Sequence, residues 1–81
     1  MKDILKTLIV GLVDNKDAVV ITEKDEGRFV KLSVVVDKND IGRVIGKEGK
    51  IANALSTLIN SIAYKSEQRK KYIIKINEGQ R

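Results

Sequence analysis

The chain has 81 residues, neither cysteine nor histidine, and 16 Lys and Arg against 11 Asp and Glu, a formal charge of +5. A chain this short folds as one domain that buries roughly 60% of its unfolded surface, which leaves little room for an enclosed catalytic cavity. Without cysteine there are no disulfides or thiolates, and without histidine the commonest general base and metal ligand near neutral pH are missing. No carboxylate cluster has the spacing of a calcium loop. A non-enzymatic protein with no cofactor and no metal is therefore expected. No apolar run approaches the ~20 residues of a membrane span. Lys6 interrupts the first apolar run too early for a signal peptide, so a cytoplasmic protein with no membrane partner is the expectation. The basic balance points toward a polyanion, although charge of this size also serves solubility alone.

Residues 3–14 place Ile4, Leu5, Leu8, Ile9, Leu12 and Val13 on one helical face, with Asp3 positioned to cap the start. Asp14 to Asp17 is polar and turn-prone. Residues 18–23 are β-branched and read as a strand, and Lys24 to Gly27 as a tight turn. The strand predicted at 28–36 alternates, with Val30, Leu32, Val34 and Val36 on one face. The short connection makes the two strands an antiparallel hairpin. Asn39 or Asp40 can cap a short helix over 40–45. A longer helix is predicted over 50–64, with Ile51, Leu55, Leu58, Ile59 and Ile62 as its buried stripe. Residues 65–71 form a basic connection, 72–76 a third strand, and 77–81 a frayed tail.

The order is α-β-β-α-α-β, an α+β fold. A right-handed crossover makes the strands at 28–36 and 72–76 parallel, and the hairpin adds the first strand on the other side of 28–36. The result is a three-stranded mixed sheet with helices on one face, formed by one domain over residues 1–77, with 78–81 left as a tail.

The run Ile41-Gly42-Arg43-Val44-Ile45-Gly46-Lys47-Glu48-Gly49-Lys50-Ile51 joins the two later helices. Its glycine pair lets the backbone turn sharply and lets another backbone come close. The second helix then starts at the loop with its positive dipole end outward, a setting that favours phosphate. A nucleotide-hydrolysing P-loop does not fit. The glycine spacing is one residue short, Glu48 stands where a Ser or Thr would bind magnesium, and the segment does not run directly out of a strand.

The complete run, with the element order around it, resembles the KH domain. The extra helix and strand before the motif make it similar to the type II arrangement. Its size and the Gly-Arg-Val-Ile-Gly-Lys sequence resemble the KhpA (YlqC) family of small bacterial single-KH RNA-binding proteins. The resemblance implies a backbone clamp on about four nucleotides of single-stranded RNA or single-stranded DNA. Gly46 and Gly49 would admit phosphates to the main chain, and Lys47, Arg43 and Lys50 would neutralise them. Ile41, Val44, Ile45 and Ile51 would line the base groove or the core just beneath it. Gly42 reads as a site of close helix packing, and the sheet edge in residues 30–36 would supply the other wall of the groove.

Glu48 complements the helix dipole but repels phosphate, and the chain's only aromatics are Phe29, Tyr64 and Tyr72. Weak, salt-sensitive binding with little base discrimination is expected. The connection 65–71 could extend the RNA path or serve as a solvated loop. Residues 51–64 carry no charge. The neutral face Asn53, Ser56, Thr57, Asn60, Ser61 and Tyr64 suggests protein contact, as a homodimer or with a second KH-domain protein. The expected function is an RNA chaperone or post-transcriptional regulator. The alternative is an interaction or dimerisation module with a KH fold and little RNA affinity.

Overall fold

The computed structural model describes residues 1–65 and 70–78. Its main elements are α1 (Lys2–Val10), β1 (Val20–Asp25), β2 (Phe29–Val36), α2 (Ile41–Ile45), α3 (Lys50–Tyr64) and β3 (Lys71–Glu78). Short 3-10 turns occupy Lys16–Ala18, Lys38–Asp40 and Lys47–Gly49. The element order is the one the sequence predicts.

Several boundaries differ for physical reasons. Met1 holds the cap position of α1 without a side-chain bond, and Asp3 lies in the first turn. There its charge still favours the helix dipole. The helix ends at Val10, with Gly11 as its cap, rather than at residue 14. Val13 nevertheless stays buried, its N–H bonded to the Ile9 carbonyl. The apolar pattern therefore outlasts the helix, because it records burial and not backbone geometry. β1 starts at Val20, because Ala18 is taken up in a 3-10 turn. β3 extends to Glu78 and so includes Asn77 and Glu78, which the sequence assigns to the tail. Residues 66–69 of the basic connection and 79–81 of the tail lie outside the described residues.

The sheet order is β1-β2-β3. β1 runs antiparallel to β2, with Ile21 opposite Val34. β3 runs parallel to β2, with Leu32 opposite Ile74. β2 is therefore the central strand, and residues 30–36 do not form a sheet edge. The hairpin occupies one side of β2, so the crossover through α2 and α3 can deliver β3 only to the other.

Val30, Leu32, Val34 and Val36 are buried on one face of β2. Against them pack Leu5 and Ile9 of α1, Val44 of α2, and Leu55 and Ile59 of α3. Full burial of such a side chain stabilises the fold by about 1.5–3 kcal/mol. The buried positions of α3 are Leu55, Ile59 and Ala63, spaced by four. Leu58 and Ile62, predicted for the stripe, point outward and are 44% and 36% exposed. The helix carries apolar residues on more than one side, and packing selects the Leu55–Ile59–Ala63 line.

Candidate nucleic-acid interface

The loop between α2 and α3 is a tight turn of four residues. Gly46 has φ 77, Glu48 φ 58 and Gly49 φ 76. Gly46 is required by contact as well as by conformation. A Cβ there would lie 2.6 Å from Ile51 Cγ1 and 2.9 Å from the Ile51 backbone nitrogen. This is the close backbone approach expected of the glycine pair, made by the first turn of α3. At Gly49 the space is open, with Asn53 Nδ2 4.0 Å away, so only the positive φ calls for glycine. Glu48 holds a left-handed conformation that costs an L-residue roughly 1–2 kcal/mol.

Lys47, Glu48 and Lys50 are exposed. No side chain caps α3, whose cap position is Gly49. Neither Lys47 nor Lys50 forms an ion pair among the described residues. The loop thus presents two lysines and the positive end of α3 to solvent, opposed by one carboxylate.

Arg43 is committed elsewhere. Its Nη1 meets Asp40 Oδ1 and its Nη2 meets Asp14 Oδ2, each at 3.2 Å. Asp40 is the centre of this tether. Its Oδ1 accepts from the Asp14 N–H at 3.1 Å, and its Oδ2 from the Asn15 N–H at 3.0 Å. These backbone bonds, from Asn15 first and then Asp14, hold the carboxyl below its ordinary value, with Arg43 helping and burial opposing. Asp40 occupies the cap position of α2 but makes no side-chain cap bond. It ties α2 to the turn after α1 instead. Asp37 caps the preceding turn by accepting from the Asn39 N–H at 2.8 Å.

Gly42 does not serve close helix packing. It is exposed, and a Cβ there would meet nothing within 4 Å. Val44 is wholly buried and belongs to the core. Ile41, Ile45 and Ile51 are half-buried, packing on the core while leaving part of each side chain open.

The wall opposite α2 and α3 is β3, which both helices contact. The Lys71 N–H donates to the Arg28 carbonyl at 3.0 Å, so odd-numbered residues of β3 turn their peptide groups toward β2. By strand alternation Tyr72, Ile74 and Ile76 turn theirs outward. Asn60 caps the first of these. Its Nδ2 donates to the Tyr72 carbonyl at 2.9 Å, and the Tyr72 N–H donates to its Oδ1 at 2.7 Å. Asn60 therefore faces the sheet edge and is half-buried there. Its polarity in an uncharged helix was the one sequence signal, and nothing in the sequence pairs it with Tyr72.

A cleft of about 650 Å³ continues from Asn60 past Ser61 and Tyr64 to Lys65, Lys70 and Lys71. Lys70 is ion-paired with Asp25. On the opposite side of α3, Leu8, Leu12, Ile51, Ala54, Leu55 and Leu58, with Lys50, line a mainly apolar groove of about 320 Å³.

The family model for the KhpA/KhpB KH domain matches residues 2–76. The RNA-binding protein KhpA of Aquifex aeolicus is 42% identical over 69 residues, covering 85% of this chain and 87% of that one. The RNA-binding protein KhpA of Caldanaerobacter subterraneus is 39% identical over 69 residues, covering 85% and 92%. The protein of the same name from Lactiplantibacillus plantarum is 30% identical over 80 residues, covering 99% of this chain and 92% of its own. No solved structure matches the chain. The motif in its loop, the order of its elements and these matches agree that the chain belongs to the KhpA/KhpB family of KH domains.

Proposed function

We propose that this protein binds single-stranded RNA without catalysing a reaction, as an RNA chaperone or post-transcriptional regulator. The Gly46–Gly49 loop carries the reading: Lys47 and Lys50, without an ion pair among the described residues, flank the open backbone at Gly49, where α3 starts with no side-chain cap. Phosphates would contact these lysines and the loop amides. Gly42, exposed and helical, leaves the backbone of α2 open to the same strand. Bases would lie against the open parts of Ile41, Ile45 and Ile51 and meet the outward peptide groups of β3 at Ile74 and Ile76. Arg43 is a positioning residue, because its charge is already shared by Asp14 and Asp40. Single-stranded DNA fits the same contacts, since none requires a 2′-hydroxyl.

The test must spare Gly46, where any side chain meets backbone. Lys47→Glu/Lys50→Glu changes only exposed residues. It should lower affinity for a short unstructured RNA about tenfold or more and flatten its salt dependence. A folded variant that binds as tightly as the parent, by fluorescence anisotropy, defeats the reading.

A second reading concerns protein partners. Ile4 on α1, Leu12 in the turn after it, and Leu58 and Ile62 on α3 are exposed around the groove. We infer self-association, or pairing with a second KH-domain protein, through this apolar face rather than through the neutral polar face. Two clamps held together would raise avidity for one RNA strand. A Leu58→Glu/Ile62→Glu variant should then sediment as a smaller species than the parent. A parent that is already monomeric at high concentration and captures no second KH protein rejects the idea.

A further inference from the structure

We propose that the helix-free face of the sheet is a second contact surface for single-stranded RNA, continuous with the loop clamp around the β3 edge. This rests on the RNA-binding reading above and extends it to residues outside the motif.

The strand register assembles the surface. Lys24 lies opposite Lys31, Phe29 opposite Lys71, and Ser33 opposite Lys75. Lys31 and Phe29 alternate with the buried Val30 and Leu32, so these pairs lie on the face away from the helices. All four lysines are exposed, and Phe29 is 45% exposed. Glu26 is the carboxylate that reaches them, 3.6 Å from Lys24 and 3.7 Å from Lys31. Exposed pairs of this kind contribute little and yield readily to a competing anion. Like charges directly opposite in a sheet are destabilising, and Glu26 offsets the repulsion of Lys24 and Lys31 only in part.

Charge and form identify the occupant. Among the described residues, four lysines against one carboxylate, with an exposed aromatic ring beside them, complement a flexible polyanion with flat bases. Lys71 and Lys75 stand about 13 Å apart along one strand, too far to share one phosphate. Lys71 belongs to two features at once. It lines the cleft that follows α3 away from the loop, and it opens the helix-free face beside Phe29. α3 has 15 residues and is therefore about 22 Å long. A strand of about four nucleotides clamped at the loop would run along α3 toward Lys71. Further nucleotides would turn onto the sheet.

The experiment compares a four-nucleotide and a fifteen-nucleotide unstructured RNA by anisotropy at several salt concentrations. Lys31→Glu/Lys75→Glu should weaken the long RNA about tenfold and leave the short one within about twofold. Its salt slope for the long RNA should fall by about 1.4, the share of two phosphate contacts on a single strand. Phe29→Ala should weaken the long RNA about fivefold with the slope unchanged. Lys2→Glu/Lys6→Glu on α1 makes the same change in net charge and should act far less. Thermal melts check that each variant is folded. The proposal is overturned if the two lysine pairs weaken the long RNA equally, if neither does, or if the sheet pair weakens the short RNA as much as the long. A parent chain that binds neither RNA rejects the RNA reading itself, and this proposal with it.

Discussion

β2 has two faces that do opposite work. Toward the helices it presents Val30, Leu32, Val34 and Val36, all buried. Toward solvent it presents Phe29, Lys31, Ser33 and Val35, none fully buried. Neighbouring residues on one strand thus differ completely in what constrains them. The packed face is set by volume and must exclude water. The open face answers to no interior contact, and its Lys31 is held only by an exposed pair with Glu26 that a ligand can displace. The same division runs through the loop region, where Asp40 is buried and bonded and Glu48 is exposed.

The sharpest test of that division changes adjacent residues. Leu32→Ala should cost about 2–5 kcal/mol, because it leaves a cavity at a fully buried site. Lys31→Ala should change stability by less than about 0.5 kcal/mol. Paired thermal or urea melts measure both. Similar losses from the two would break the comparison.

A smaller effect is expected at Asp40, where the packed side holds a charge. Its carboxyl lies below the ordinary value of 3.8, chiefly through the Asn15 and Asp14 N–H bonds. The unfolded chain therefore takes up this proton before the folded one does. The stabilisation is fully present above the unfolded value and is lost as pH falls through the folded one. Asp40→Asn should melt lower than the parent at pH 7, and the gap should narrow below about pH 4. A gap independent of pH would show that the carboxylate charge is not what ties α2 to the turn after α1.

The smallest effect belongs to the open side. Glu48→Asn keeps a residue that tolerates positive φ and removes a charge that repels phosphate. It should stabilise the fold by about 0.5–1 kcal/mol and tighten RNA binding a few-fold, read by melting and anisotropy. Unchanged affinity would place Glu48 outside the path of the phosphates.

Much of this architecture is legible in the residues. The alternation in 28–36 names the buried face of β2 correctly, because strand periodicity needs only one partner layer. The glycine pair marks the tight turn between helices, since few other residues adopt its dihedrals. α3 is less legible. Its apolar residues at 51, 55, 58, 59 and 62 admit two adjacent stripes, and helical periodicity cannot choose between them. Arg43 read as a phosphate ligand because its partners Asp14 and Asp40 come together only when the turn after α1 meets α2.

Sequence by itself determined the element order, the hairpin, the positive charge and the loop at Gly46–Gly49, all of which depend on local patterns a few residues long. Only the tertiary structure decided that Asn60 caps the outer edge of β3 and that Arg43 is tethered. It also gathered Lys24, Lys31, Lys71 and Lys75 onto one open face. Those outcomes join residues far apart in the chain. They follow from which surfaces the crossover brings together, a choice made by packing and not by any single segment.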